Sequence, residues 1–206
     1  MKILNLYAGI GGNRKLWGDE HEIIAIELDP KIAKIYQDFF PKDKVIVTDA
    51  HKYLLEHYKE FDFIWSSPPC PTHSRINTSF KNNKQKIKYV DMNLYEEIIL
   101  LQKFFEGKFC VENVISYYKP LIIPQLIGRN YFWANFLIPN IKLKKGTIGS
   151  MNGKYKKFSK QRNWYAKKPK EKRNCVEPKL GLHIFECAFK EKQEVLFKEK
   201  NEEVGV

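Results

Sequence analysis

Cysteine is scarce in this sequence, at four in 206 residues. Cys70, Cys110, Cys175 and Cys187 show no C-x-x-C spacing and no nearby paired histidines. That argues against a disulfide framework and against a zinc site, so no metal is expected, and a reducing cytoplasm fits best. Long apolar runs are also missing: no stretch approaches the ~20 residues of a spanning helix, and no membrane partner is expected. The stretch Met1 to Gly12 is apolar but is broken by Asn5 and closed by glycines. Arg14, Lys15, Asp19 and Glu20 follow, without the small-residue cleavage site of a signal peptide. It reads as a buried strand and its turn. Acids are in short supply, 24 against 36 lysines and arginines, for a net charge of +12. Such a balance suits a polyanionic partner, either nucleic acid or an anionic membrane surface. The length allows one well-buried core and little more.

What is present is an alternation. Short apolar runs at Lys2–Tyr7, Glu22–Glu27, Val45–Val47, Phe61–Trp65 and Phe109–Val111 read as strands. Between them, the stretch opened by Pro30 and running to about Phe40, then Ala50–Tyr58 and Asp91–Phe105, have helical apolar spacing. Alternating strands and helices imply right-handed crossovers and a mostly parallel, doubly wound, Rossmann-like α/β sheet. In such a sheet the ligand sits beyond the carboxyl ends of the strands. The glycine loop Gly9, Gly11 and Gly12, the acids Glu27 and Asp49, the Pro68–Cys70 segment and Glu112 all fall at or just after those ends.

Each of these has a plain structural alternative. The segment Ala8-Gly9-Ile10-Gly11-Gly12 permits close approach to a nucleoside, or is an ordinary strand-to-helix turn. Glu27 can accept hydrogen bonds from ribose hydroxyls, or is an exposed turn residue. Asp49 can bind an adenine amino group, or is the N-cap of the helix after it. Together, in that order and without a phosphate-binding lysine, they describe a nucleoside site and point away from P-loop chemistry. Pro68-Pro69-Cys70-Pro71 is sharper, because prolines fix the backbone and hold a thiol at a set angle for nucleophilic attack. The alternative is a buried structural cysteine. Glu112-Asn113-Val114 places a carboxyl at a strand end, where desolvation raises its pKa, and Asn113 can brace the loop; alone, it is equally a capped strand end.

These motifs, in this order, resemble the cytosine-5 DNA methyltransferases over most of the chain. Leu6-Tyr7-Ala8-Gly9-Ile10-Gly11-Gly12 is similar to that family's cofactor loop, with Tyr7 where phenylalanine is usual. Glu27, followed by Leu28, matches the ribose-binding acid, and Asp49, followed by Ala50, the adenine-binding one. Pro68-Pro69-Cys70 matches the catalytic motif and Glu112-Asn113-Val114 the glutamate motif. Gly128-Arg129-Asn130-Tyr131-Phe132 resembles the arginine motif, with one arginine where two are usual. Asn174-Cys175-Val176 resembles the late motif that returns to the cofactor, with cysteine in place of serine. The resemblance implies a class I fold binding S-adenosyl-L-methionine and releasing S-adenosyl-L-homocysteine. Its catalytic residues are then Cys70, Glu112 and Arg129. Its cofactor residues are Tyr7, Ala8, Gly9, Gly11, Gly12, Glu27, Leu28, Asp49, Ala50, Pro68, Asn174 and Cys175.

Three segments are expected: a catalytic core over 1–136, a much reduced target-recognition segment over 137–173, and a return to the core over 174–206. From Lys142 to Arg173 there are thirteen basic residues against one acid, Glu171, with Tyr155, Phe158, Trp164 and Tyr165 interleaved. The segment is either a solvated loop or a contact to phosphates. Asn152, Gln161, Arg162 and Asn163 are its candidate base readers, Trp164 or Tyr165 is the candidate to fill the gap left by a flipped cytosine, and Ser74 and Arg75 are expected in a loop that closes on double-stranded DNA. So short a recognition region resembles methylases of phages and mobile elements. It implies a restriction-modification or phage setting in the cytoplasm of a bacterial host or infected cell. Rival readings are a tRNA cytosine-5 methyltransferase of the same family, a catalytic subunit with a separate specificity partner or a homodimer, and a DNA-binding protein with an inactive core. An amino-methylating enzyme has Ser-Pro-Pro followed by an aromatic, and Cys70 stands in that place.

Neutralising four lysines between 142 and 173 is expected to weaken binding to every duplex alike. It should also flatten the salt dependence, whose log-log slope is about −0.9 per phosphate contact. Filter binding across a salt series checks this, and an unchanged slope rules the segment out as the phosphate contact.

Overall fold

The computed structural model describes residues 1–75, 88–141 and 175–190. Seven strands form one sheet: β1 (Lys2–Leu6), β2 (Glu22–Glu27), β3 (Lys44–Val47), β4 (Phe63–Ser66), β5 (Lys108–Val114), β6 (Gln125–Ile127) and β7 (Asn130–Ala134). Their order is β3-β2-β1-β4-β5-β7-β6. The first five strands in this order are parallel; β7 runs antiparallel to β5, and β6 antiparallel to β7. Four helices accompany them among the described residues: α1 (Pro30–Phe39), α2 (Ala50–His57), α3 (Asn93–Phe104) and α4 (Pro178–Ala188). This is the Rossmann-like, doubly wound fold read from the alternation, with the order reversing between β1 and β4.

The central strands read as continuous apolar runs because both faces of the sheet are covered. On one face Leu4, Leu6, Ile24, Ile26 and Ile64 meet Leu54 of α2 and Leu94, Ile98 and Leu101 of α3. On the other, Ile3, Ile23, Phe63, Trp65 and Phe132 meet Trp17 and Ile184 and Phe185 of α4. Helix starts follow capping chemistry. Asp29, Asp49 and Glu177 each accept a backbone N–H of the turn they open, and proline stands at the first position of α1 and α4.

α4 brings the late part of the chain back to the turn after β1. Trp17 stacks on Phe185 at 5.1 Å and donates its Nε1–H to Gly181 O at 3.2 Å. Glycine is needed at 181, because a Cβ there would lie 2.4 Å from Asn13 O. His183 Nε2 donates to Pro139 O at 2.7 Å, so α4 also touches the chain just after β7.

Two features depart from the sequence reading. β5 runs to Val114 and pairs with the β6–β7 hairpin, whose turn holds Gly128 at φ +61°. β6 has only three residues, too few to show a period of two. Arg14, which the sequence presents as a charge closing an apolar run, is buried at 2 % exposure. Its guanidinium pairs with both oxygens of Asp43, at 2.9 and 3.1 Å, and Asp43 also accepts Tyr36 Oη–H at 2.8 Å. Burial works against the Arg14 charge, but hydrogen bonding and attraction from Asp43 outweigh it and hold the guanidinium above its ordinary pKa.

Asp43→Asn leaves Arg14 buried with only the exposed Asp19 as a charged partner, 3.3 Å away. It is expected to lower unfolding free energy by about 3 kcal/mol. Asp19→Asn should cost under about 1 kcal/mol, as exposed ion pairs do. Urea denaturation distinguishes the two.

Candidate active site

The carboxyl ends of β1, β2, β3, β4 and β5 form one edge, and the candidate residues collect there. At the end of β1, Tyr7 holds φ +54°, a region that costs a non-glycine residue about 1 kcal/mol or more. Gly9 and Gly11 follow at φ +55° and +76°. A Cβ on Gly11 would lie 2.3 Å from Phe40 and 2.9 Å from Tyr36, so the loop rests directly on α1 and the turn after it. A Cβ on Gly12 would lie 2.2 Å from Cys175 Sγ, and the Gly12 N–H hydrogen-bonds that thiol. The glycine loop and the Cys175-Val176 segment are therefore in contact. Above Gly9 the space is open, with nothing within 4 Å of an added Cβ.

Glu27 accepts the Gly9 N–H at 2.9 Å on one oxygen and the Asp29 N–H at 3.0 Å on the other. The next residue, Leu28, is 67 % exposed. Asp49 is exposed and caps α2 by accepting the Lys52 N–H at 3.0 Å, so the N-cap reading holds for it. Its neighbour Ala50 is buried. The open cradle at Gly9, the exposed apolar Leu28 and two carboxylates on the neighbouring ends of β2 and β3 fit S-adenosylmethionine. The sulfonium nucleoside carries no phosphate and needs no lysine in the loop.

The second half of the edge follows β4. Pro68 is buried, and its carbonyl accepts Asn113 Nδ2–H at 3.1 Å. Asn113 thus ties the Pro-Pro-Cys turn to β5, while its Oδ1 accepts the Val114 N–H. Beyond it the Cys70 carbonyl accepts the N–H groups of His73 and Ser74, at 3.0 and 2.9 Å. Ser74 is bridged to Ser116, so it is pinned to the segment after β5, and Arg75 beyond it is exposed. Cys70 is half-buried. Burial first, and then the charge of Glu112, push its thiol above the ordinary value.

Glu112 is buried on β5, and burial raises its pKa against the pull of hydrogen bonds from Asn130 and Ser67. Asn130 Nδ2 donates to Glu112 Oε1. Arg129, one residue earlier, stands exposed in the hairpin turn. Asn130 and Ser67 were missed as site residues, although Asn130 lies inside the Gly-Arg-Asn-Tyr-Phe motif and Ser67 directly precedes Pro68. Glu97 was missed as well. It is fully buried on α3 and accepts Tyr7 Oη–H at 2.6 Å. Helical spacing from Leu94, Ile98 and Leu101 puts an acid at 97 on the apolar stripe, and that was the available signal. Asn152, Gln161, Arg162, Asn163, Trp164, Tyr165 and Asn174 lie outside the described residues. Among the described residues no helix is long and apolar enough to cross a membrane.

Comparison with known proteins gives the family of this chain. The family model for C-5 cytosine-specific DNA methylase matches residues 1–120. A tRNA (cytosine(38)-C(5))-methyltransferase of Spodoptera frugiperda is 27% identical over 160 residues, 69% of this chain and 47% of that protein. The chain thus spans about half the length of that curated relative. Among solved structures, the putative methyltransferase yhhF of Escherichia coli aligns with a TM-score of 0.43 at 16% identity, over 65% of this chain and 73% of that one. A SAM-dependent methyltransferase of Agrobacterium tumefaciens aligns with a TM-score of 0.40 at 12% identity, over 57% and 40%. With the family match running from β1 through the Glu-Asn-Val segment, over more than half of its residues, the chain belongs to the C-5 cytosine-specific DNA methylase family.

Proposed function

We propose that this protein methylates carbon 5 of cytosine in double-stranded DNA. The observation that supports it best is the Cys70 thiol, carried on the stiff Pro68-Pro69 turn, within the electrostatic reach of the buried Glu112. Carbon 5 of cytosine is too weak a nucleophile to take a methyl group unaided. Addition of the Cys70 thiolate to carbon 6 pushes the ring electrons toward carbon 5, which then behaves as an enamine carbon. S-adenosylmethionine, when bound, supplies the electrophilic methyl group. Glu112, kept protonated more readily by its burial, donates to ring nitrogen 3 and offsets the charge that builds in the ring. Loss of the carbon 5 proton to a base then expels Cys70 as thiolate and restores the aromatic ring.

In the free protein the raised thiol keeps Cys70 largely protonated at neutral pH. Glu112 is one cause. A cytosine ring that engages Glu112 removes that repulsion, so base entry favours the thiolate. Asn130 and Ser67 aim the Glu112 carboxyl, and Asn113 fixes the turn that carries the nucleophile. Arg129 is assigned to the base carbonyl. None of this chemistry fits a stacked duplex, so the target base must be flipped out. Residues 137–173 are assigned to phosphate and base contacts, around a catalytic core of 1–136 to which the chain returns over 174–206. The net charge of +12 suits that partner. RNA is the second reading, favoured by the tRNA methyltransferase of Spodoptera frugiperda as a relative.

A duplex carrying 5-fluorocytosine traps the adduct, because fluorine cannot leave as the proton does. With S-adenosylmethionine, wild type is expected to give a shifted band on a denaturing gel, Cys70→Ala none, and Glu112→Gln a rate about 100-fold lower. A band with 5-fluorocytosine tRNA and none with duplex moves the reading to RNA. No band with either overturns the cytosine chemistry.

Glu112→Gln should also speed alkylation of Cys70 by iodoacetamide at pH 8 by roughly two- to fivefold, since loss of the carboxylate lets the thiol titrate lower. Peptide mass spectrometry reads this at Cys70 alone. Slower or equal alkylation means the two groups do not sense each other.

A further inference from the structure

The carboxylate of Glu97 has no part in the chemistry above, yet it is fully buried and carries three hydrogen bonds. Oε1 accepts Tyr7 Oη–H at 2.6 Å and His51 Nδ1–H at 3.1 Å, and Oε2 accepts Ser66 Oγ–H at 2.7 Å. The second nitrogen of His51 lies 3.3 Å from Glu96 Oε2. The Glu97 hydrogen bond foremost holds the His51 imidazolium above its ordinary pKa. Burial, and then the Glu97 charge, keep the Tyr7 hydroxyl protonated and therefore a donor.

The three donors come from the ends of β1 and β4 and from the first turn of α2. Tyr7 opens the glycine loop after β1 and is the residue held at φ +54°. His51 is two residues from Asp49, in the first turn of α2. Ser66 ends β4, four residues before Cys70. Glu97 reaches all of them from α3. A buried carboxylate with three donors is a stiff junction, because each lost donor leaves charge unpaired in a place water does not reach. At the usual phenylalanine noted above for position 7, the Tyr7 arm of this junction would not exist.

We infer that Glu97 is a positioning residue that locks the cofactor loop to the nucleophile turn, acting on the methyl donor through Tyr7 and His51 and on Cys70 through Ser66. This rests on the proposed cytosine chemistry for its Cys70 arm only. The cofactor arm stands on the binding cradle.

The two arms can be read separately. Calorimetry with S-adenosylhomocysteine measures the cradle without any reaction. The rate of adduct formation on the 5-fluorocytosine substrate, at saturating S-adenosylmethionine, measures the nucleophile. Tyr7→Phe and Ser66→Ala each remove one hydroxyl and little volume. Tyr7→Phe is expected to lose about tenfold in affinity and only about twofold in rate, and Ser66→Ala the reverse. Glu97→Gln should lose about tenfold in both. The double variant Tyr7→Phe/Glu97→Gln should bind no more weakly than Glu97→Gln alone, because Tyr7 acts through Glu97. A hub that merely supports stability moves affinity and rate in equal proportion in all variants, and that result overturns the inference. So does additive loss in the double variant, or a Glu97→Gln protein with unchanged affinity. If wild type forms no adduct, the cytosine reading fails, while the calorimetric arm still decides whether Tyr7 and Glu97 act together.

Discussion

Parallel pairing of β1 with β4 is the constraint on which the rest of this molecule depends. Ile3 through Leu6 lie beside Phe63 through Ser66, and both strands leave the sheet at the same edge. The chain must cross over to make that pairing, and the strand order reverses there. As a result the glycine loop and the Pro-Pro-Cys turn, 60 residues apart, start from adjacent hydrogen-bonded strands. Neither loop has to travel to meet the other. The proposed donor site and the proposed nucleophile are neighbours because their strands are.

Carboxylates then fix the details. Asp43 anchors Arg14, Glu97 joins the ends of β1 and β4 to the start of α2, and the charge of Glu112 acts on the Cys70 thiol. All three are buried. Such groups are poor sources of net stability, since desolvation consumes much of what pairing returns. Their value lies in direction, because a buried acid with several donors has one low-energy arrangement. Here two of the three have no candidate role as substrate contacts, and one of them, Glu97, has partners on both sides of the candidate site: Tyr7 on one, Ser66 at the start of the turn toward Cys70 on the other.

The sheet and most of the edge were legible because their signals are local. Apolar runs, a proline at a helix start, glycines after a strand and a cysteine behind two prolines are all read within a few residues. Arg14, Glu97 and Asn130 were harder because their meaning is non-local. Arg14 looks like a surface charge until Asp43, 29 residues away, is seen beside it. Asn130 lies within the Gly-Arg-Asn-Tyr-Phe motif, but only the antiparallel register of Glu112 against Phe132 brings it within reach of the carboxyl. Glu97 broke a local rule, an acid on an apolar stripe, and such violations are where function or specificity tends to reside.

The contact between His183 and the carbonyl of Pro139 bears on how freely the stretch between residues 142 and 174 can vary. It holds the chain before residue 142 close to the chain after residue 174, both anchored on the same face of the sheet. Whatever joins two nearby anchors closes a loop, and the entropy of closure grows only logarithmically, by about 0.6 kcal/mol for each doubling of length. The core therefore presents a socket. Segments of different length or sequence can be exchanged there at small cost to the fold.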